Sequence, residues 1–396
     1  MNDLYSTSCD CCGGELHDLA DNSEEWDKIY TDIARQLIDG EDLNTDAVYK
    51  KTAAQLVEAL NKGFGISVFD DEDSRKGLQE KFKRNIEQFS YAKTLTQFSL
   101  FKDHLFNDKG QMQSFATVKK AVADTGEVFN NNYLRAEHQY VTQTAIMADK
   151  WKTMNTEYLE FSTVGDNHVR PEHKLFDKFT APKSDPIWKR LYTPLDWGCR
   201  CTVIPGKASK VSKEYNSEWA NKVVDPLVKG TIFDNNAALT GVVFNKEHPY
   251  FKTKSPKGIS PKTAINIERK AKDAEIKQWA SQTIKKGHHL SITSNEFKTS
   301  EVRISRSNIE SVTKHISNVA DKDLVKDIVS IIEKAKFENS LPLENKDPKN
   351  YGAKVARGVI NYNYYASKWN NVEVKINMEV MKDGYEQPYA ILVNKK

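Results

Sequence analysis

The feature that most constrains this chain is the stretch from Phe161 to Pro205, where prolines and glycines interrupt a dense set of polar side chains. Each proline removes a backbone donor and drives the preceding residue toward extended geometry, so one helix cannot run through the stretch. Its acidic, imidazole and thiol groups are too many for an ordinary core: Asp166, His168, His173, Asp177, Asp185, Cys199 and Cys201. The stretch is therefore predicted to be a loop-rich module that needs a device to hold it together.

Two thiols and two imidazoles within this module point to zinc as that device. Tetrahedral zinc is bound by cysteine and histidine at short spacings, and a structural site adds directly to the folding free energy. We predict that His173, Cys199 and Cys201 lie near one another, with Asp166 or His168 completing the site if metal is present. In the alternative interpretation, Cys199 and Cys201 share one face of a strand and are buried as small hydrophobic side chains.

Short motifs follow one another in a fixed order between residues 125 and 205. They are a helix with Tyr140 and Trp151, Val164-Gly165-Asp166, Arg170-Pro171-Glu172-His173, Asp185-Pro186-Ile187-Trp188, and Pro194 followed by Trp197-Gly198-Cys199-Arg200-Cys201. In this order they resemble the head-morphogenesis domain of tailed phages, the phage Mu F-like minor head proteins. That family usually has a Leu-x-Gly turn after the histidine, whereas this chain has Leu175-Phe176-Asp177. We interpret the difference as a local variation, because aspartate tolerates turn geometry.

The resemblance implies a phage or prophage minor capsid protein that acts in head morphogenesis at the portal or the inner capsid. It implies a portal or capsid protein as partner, packaged DNA as a further one, and a place in the capsid interior of the virion, with the host bacterial cytoplasm as the compartment during assembly. The family-motif residues in this chain are Asp166, Arg170, His173, Asp185, Trp188, Trp197, Cys199, Arg200 and Cys201. Among them, we assign Asp185 and Trp188 to turn formation and packing.

Length and composition set the outer limits. A chain of 396 residues with 39% hydrophobic content has room for two or three domains with real cores. It has no run of 18 apolar residues, and its first residues have neither a basic flank nor a hydrophobic region, so we expect a soluble protein without a membrane partner or a secretory signal. Five cysteines do not form a disulfide framework, which favours a reducing cytoplasm.

The net charge of +3 conceals an asymmetry along the chain. Residues 1–50 carry 3 basic and 13 acidic side chains, a net charge of −10, whereas residues 281–396 carry 19 basic and 14 acidic ones. The basic half either meets nucleic acid or is a plain solvated surface. The acidic tail also contains Cys9, Cys11 and Cys12, which we interpret as an interaction or redox-labile segment rather than a metal site.

The overall prediction is a multidomain α+β fold with a mainly helical N-terminal half, the loop-rich Cys/His module and a C-terminal α+β domain with an antiparallel sheet. Apolar spacing of three and four residues predicts helices at Glu24–Ile38, Asp46–Leu60 and Glu127–Tyr158, with Glu137 facing solvent. The predicted parts are an acidic tail (1–22), a helical region (23–124), a Mu F-like domain (125–206), a basic connector (207–280) and the α+β domain (281–396).

In the last part, helical spacing after Ser307 or Asn308 gives way to alternation of apolar and polar residues from Val372 to Val380. Helices followed by an antiparallel sheet are typical of an α+β module. This order resembles the barnase, EndoU, colicin and RelE-like ribonucleases, which implies a virion-delivered toxin that cleaves host RNA without metal. Such cleavage needs a base, an acid and a cation. The candidates are His315 as the preferred base, His289 or His288, Lys346 or Lys354, and Tyr364.

Overall fold

The computed structural model describes residues 23–70, 73–211, 217–259, 262–344 and 348–393. They fall into two compact units, divided between Thr263 and Ala264. Among the helices of these residues, none combines the length and the apolar character that a membrane crossing requires. The multidomain α+β fold class predicted from the sequence is confirmed.

The first elements in the described part of this unit are three long helices, α1 (Ser23–Asp39), α2 (Asp46–Phe64) and α3 (Lys76–Asp103). Their apolar stripes are buried in the core, and for α1 and α2 the periodicity predicted this. Helix α1, for example, buries Trp26 and Ile33.

The predicted helix Glu127–Tyr158 is wrong at both ends. The chain is already helical in α4 (Phe115–Glu127), passes through a π-helical turn (Val128–Tyr133) and continues as α5 (Leu134–Thr153). Helix α5 ends there because Met154 adopts extended backbone geometry and the following residues enter a strand. The seven-residue repeat of large apolar side chains hid this ending, since it runs on past the last helical turn.

Glu137 was also predicted to face solvent, and this is wrong. Its carboxylate is fully buried and lies 2.5 Å from the ammonium of Lys93 on α3. Burial lowers the pKa of Lys93, while the charge of Glu137 raises it. The buried ion pair therefore joins α3 to α5 inside the helical core.

The loop-rich module is built around a small antiparallel sheet with strand order β2-β1-β3, in which the central strand is β1 (Tyr158–Ser162) and its neighbours are β2 (Thr180–Pro182) and β3 (Thr202–Pro205). Two long excursions leave and rejoin this sheet. The first contains a one-turn helix, α6 (Pro171–Lys174), and the second a 3-10 turn (Pro186–Lys189).

Two family-motif residues turn and anchor the second excursion. The carboxylate of Asp185 accepts a hydrogen bond from the backbone N–H of Ile187 and so starts the 3-10 turn. Trp188 is completely buried, and its indole N–H donates to the carbonyl of Pro182 at 2.9 Å. The hydroxyl of Tyr192 then donates to the carbonyl of Met147 at 2.9 Å, which brings the chain back to α5 before it reaches the cysteines.

The rest of the first unit closes its core. Helices α7 (Ser217–Val228) and α8 (Ala237–Thr240) are followed by a 3-10 turn (Pro249–Lys252). Phe244 stacks on Phe89 of α3 with ring centroids 3.6 Å apart. His248 lies against the same Phe89 ring and is fully buried. The core of the first unit is thus rich in aromatic rings.

The second unit contains most of α9 (Lys262–Thr283) and a six-stranded sheet with the order β4-β5-β9-β8-β7-β6. Its strands are β4 (Leu290–Ile292), β5 (Val302–Ile304), β6 (Lys336–Pro342), β7 (Val359–Trp369), β8 (Val372–Met381) and β9 (Glu386–Val393). The sheet is mixed rather than purely antiparallel, because β5 pairs with β9 in parallel. The alternating segment in β8 predicted its strand correctly, whereas β4 and β5 have three residues each and are too short to show a pattern.

The described part of the second unit also contains three α-helices, α10 (Arg306–His315), α11 (Ile328–Glu333) and α12 (Pro348–Ala356), and a 3-10 helix (Val319–Asp327). The cap of α10 is Ser305 rather than the predicted Ser307 or Asn308, and Asn308 instead completes a capping box with it. Ile276 and Ala280 of α9 belong to the core of this unit. The compact units thus divide earlier than the predicted boundary near residue 281, and the five-part division stays a prediction.

Candidate functional site

The centre of the loop-rich module is a buried group of three metal-ligating side chains, which we call the Cys/His cluster: His173, Cys199 and Cys201. Their ligand atoms all lie within 4.8 Å of one another. The Nδ1 atom of His173 lies 3.7 Å from the Sγ of Cys199 and 3.7 Å from the Sγ of Cys201. Both cysteines are free thiols, and all three side chains are at least 94% buried.

The local fold explains why these side chains meet. Pro171 starts the one-turn helix α6 and places His173 on its inner side. Arg170 just before it donates to the carbonyl of Trp197 at 2.9 Å and pairs with Asp196 at 3.3 Å. The first excursion is thereby fastened to the residues that precede Cys199.

Helix α5 supports the other side of the cluster. The ring of Trp197 packs edge-on against Tyr140, with ring centroids 5.2 Å apart. The side chain of Gln143 donates to the backbone carbonyl of Cys201. Two sets of contacts therefore position the thiols: those of Arg170 with the residues before Cys199, and those of α5 with Trp197 and Cys201.

Asp166 and His168 lie outside the cluster in this structure. The carboxylate of Asp166 receives two hydrogen bonds from the guanidinium of Arg200, at 2.7 and 2.9 Å. This contact lowers the pKa of Asp166. His168 is exposed, and its backbone N–H donates to Asp166. The Asp166–Arg200 pair thus ties the start of the first excursion to the Cys-x-Cys segment. Sequence analysis had not predicted this role for the pair.

The electrostatics of the cluster favour one thiolate. The hydrogen bond from the Cys201 thiol, together with the imidazole of His173, lowers the pKa of Cys199 well below its ordinary value. The same contact and burial raise the pKa of Cys201. Two buried thiols beside an imidazole, one of them with a lowered pKa, are a ready donor set for a metal cation. The predicted N-terminal Cys9, Cys11 and Cys12 lie outside the described residues.

In the second unit, the predicted catalytic residues lie in different places. His315 ends α10, next to β9. His289 precedes the edge strand β4 and faces Glu301 at 4.0 Å, and Tyr364 of β7 lies under the ammonium of Lys375. Strands β5, β9 and β8 separate β4 from β7 in the sheet. Lys346 lies outside the described residues.

His315 has polar neighbours, and of these only Lys354 was a candidate from the sequence. We call the group the His315 cluster: His315, Tyr389, Tyr362, Lys354 and the ion pair of Arg357 with Glu379. The ring of Tyr389 lies 4.5 Å from that of His315 and 6.1 Å from that of Tyr362. The ammonium of Lys354 lies 5.0 and 5.1 Å from the two tyrosine rings. Finding this cluster from the sequence would have required the register of strands β7, β8 and β9, and the sequence alone does not give that register.

Within this cluster, Glu379 has hydrogen-bond partners and the hydroxyl of Tyr362 has none among the described residues. Glu379 is buried and accepts hydrogen bonds from Arg357 at 2.8 Å and from Gln387 at 2.9 Å. The hydroxyl of Tyr362 is buried without a hydrogen-bond partner among the described residues. Burial and the nearby charge of Glu379 raise the pKa of Tyr362 to about 12, so this hydroxyl keeps its proton at neutral pH.

One family of known proteins matches a segment of the first unit. A family model described as "Phage Mu protein F like protein" matches residues 109–204, which hold α4, α5 and almost all of the Cys/His module. Over 46 residues the chain is 39% identical to the Mu-like prophage FluMu F protein of Haemophilus influenzae strain Rd. Those residues are 12% of this chain and 11% of that protein, so the match spans about a tenth of the relative's length. No solved structure matches the chain.

Proposed function

We propose, from the phage Mu F-like character of residues 109–204, that this chain is a phage or prophage minor capsid protein that acts in head morphogenesis. Its place in this proposal is the portal or the inner face of the capsid, with packaged DNA nearby, after assembly in the host bacterial cytoplasm. The observation that carries the proposal is the family match, because it coincides with the module that α5, the small sheet and the Cys/His cluster hold together.

The physical support is the kind of surface that the module offers. Its catalysis-capable groups, the two thiols and the imidazole, are buried, and the outward charges of Asp166 and Arg200 are paired with each other. Such a module is built to keep a shape rather than to turn over a substrate. A rigid, irregular surface is what docking to another assembly protein requires.

The test is to delete the gene from the phage or inducible prophage that encodes it and to complement with variants. We expect the deletion to reduce the number of DNA-filled heads seen by electron microscopy, and the wild-type gene to restore them. His173→Ala should fail to restore them, whereas His315→Ala in the second unit should succeed. Normal yields of filled, infectious heads after the deletion would refute the proposal.

A second candidate function, a metal-independent ribonuclease in the second unit, is favoured by the His315 cluster. The Nδ1 of His315 lies 2.8 Å from the carbonyl oxygen of Ser311, which can only accept, so Nδ1 carries the proton and Nε2 keeps the lone pair in the neutral ring. We propose that Nε2 takes the proton of an RNA 2′-hydroxyl while the 2′-oxygen bonds to phosphorus. The bond from phosphorus to the 5′-oxygen then breaks, and that oxygen takes a proton from Lys354.

The ribonuclease assay uses the full chain, a labelled RNA oligonucleotide and no added metal. We expect products ending in a 2′,3′-cyclic phosphate, and a loss of at least about 100-fold in rate for His315→Ala, the range for a lost general base. The matched control is His289→Ala, since His289 is also exposed but lies at the β4 edge. No cleavage by the wild type, or equal cleavage by both variants, would remove this candidate.

A further inference from the structure

The Cys/His cluster has the geometry of a metal site, and the argument begins with its distances. Zinc bonds of about 2.3 Å to sulfur and about 2.0–2.1 Å to nitrogen, at tetrahedral angles, place a sulfur and a nitrogen about 3.6 Å apart. The two observed separations from Nδ1 of His173 are both 3.7 Å. Both nitrogen–sulfur separations therefore already match those around one zinc ion, and the two sulfurs lie within 4.8 Å of each other.

A single hydrogen bond from the ring does not by itself explain why Nδ1 lies equally close to both sulfurs. The Nδ1 of a histidine has either one hydrogen or one lone pair, so it can satisfy one sulfur and not two. Here two sulfurs lie at the same distance from it. The Nε2 of this ring is buried without a hydrogen-bond partner among the described residues, so it does not orient the ring. Among the described residues, the polar contacts of this ring are those of Nδ1 with the two thiols.

We propose that this chain binds one zinc ion through Nδ1 of His173 and the sulfurs of Cys199 and Cys201, with the fourth coordination position open to solvent. A small pocket adjoins the three donors and has room for about one water molecule. His168 and Gly198 are among the residues that line it. Asp166 is committed to Arg200, and His168 is exposed outside the donor group, so neither is a ligand.

The ion would fasten the excursion after β1 to the segment before β3. Those two pieces of chain are irregular, and neither has a sheet or long helix of its own to fix it. Metal binding to the folded state alone shifts the folding equilibrium toward that state. This proposal does not depend on the proposed role in the phage head, because it rests on donor geometry rather than on the family match.

The test uses the full chain, purified under reducing conditions from cells grown with zinc, and it measures metal per protein by mass spectrometry. We expect one zinc per chain. Cobalt exchanged into the same protein should show the visible absorption of a tetrahedral ion and a thiolate-to-cobalt band in the near ultraviolet. A chelator should lower the melting temperature by about 5–10 °C.

Variants separate this cluster from the other thiols of the chain. In a background with Cys9, Cys11 and Cys12 changed to serine, one zinc per chain should remain. In that background, Cys201→Ser should weaken cobalt binding by more than about 100-fold. Losing a residue that only hydrogen-bonds to a ligand weakens metal binding by about 10–100-fold, and losing the ligand itself should weaken it more. His168→Ala should bind cobalt as the background does.

Three results would overturn the proposal. The first is wild-type protein without zinc that also fails to take up cobalt, a measurement that does not require any variant to fold. The second is loss of the metal in the triple-serine background, which would assign it to the N-terminal cysteines. The third is loss of the metal in His168→Ala, which would make His168 a ligand and close the fourth position.

Discussion

Changing His248 to asparagine is expected to remove a large part of the acid sensitivity of the first unit. His248 is completely buried against Phe89 and Tyr250, and its Nδ1 accepts a hydrogen bond from the backbone N–H of Tyr250 at 3.3 Å. Burial, and secondarily the ammonium of Lys93, lower the pKa of His248 to about 3. The folded state therefore holds this imidazole neutral.

The sign and size follow from proton linkage. Below pH 6.5, the ordinary histidine pKa, His248 is protonated in the unfolded chain but stays neutral in the folded state. The free energy of unfolding therefore falls as the pH falls toward 3. Between pH 7.5 and pH 5.0, the loss from this one group is about 2 kcal/mol, at a limiting slope of about 1.4 kcal/mol per pH unit. Asparagine keeps the acceptor for the Tyr250 N–H but does not titrate in this range.

The assay is urea unfolding at pH 7.5 and pH 5.0, followed through tryptophan fluorescence. Trp279 and Trp369 of the second unit are changed to phenylalanine in both proteins, so that the signal comes from the first unit. The asparagine variant should be less stable at both pH values because it loses the ring packing, yet its stability should drop by about 2 kcal/mol less on acidification. Any pH effect of the Cys/His cluster is present in both proteins and cancels in the comparison. Equal pH dependence of the two proteins would refute the reasoning.

Two further predictions concern the helical core. Gly63→Ala should destabilise the first unit by about 1–3 kcal/mol, because the new Cβ would collide with the backbone of α5. Gly77→Ala on α3 places its Cβ in open space and should stabilise the unit by about 0.4–1 kcal/mol. Equal melting temperatures for the two variants would contradict this prediction. Lys93→Met should lower the free energy of unfolding by about 3–5 kcal/mol, because it leaves the buried Glu137 carboxylate without its cation. The double variant Lys93→Met, Glu137→Leu should recover most of that loss in urea unfolding. A double variant no more stable than the single one would contradict this account of the buried pair.

Where one strong local pattern decided the structure, the sequence was a sufficient guide. Helices α1 and α2 bury the residues that their periodicity placed inside, and the alternation in β8 predicted a half-buried strand. The prolines between Phe161 and Pro205 correctly excluded a long helix, because their backbone restrictions act whatever the tertiary context. The grouping of His173, Cys199 and Cys201 followed from their chemistry and the shortness of the intervening chain.

Where tertiary contacts decided, the sequence was not enough. Glu137 looked like a surface residue because its partner Lys93 lies 44 residues away on another helix. The partners of His315 come from α12, β7 and β9, and their meeting depends on strand register that no local pattern encodes. The parallel pairing of β5 with β9 depends on a three-residue strand, which is too short to be recognised.

The central claim is that the Mu F-like module makes this chain a component of a phage head. The most direct test is quantitative mass spectrometry, with chemical cross-linking, on heads purified from the phage or induced prophage that encodes it. The account predicts this chain in the heads, in few copies, with cross-links from residues 109–204 to the portal or capsid protein. Purified heads that lack the chain would contradict it.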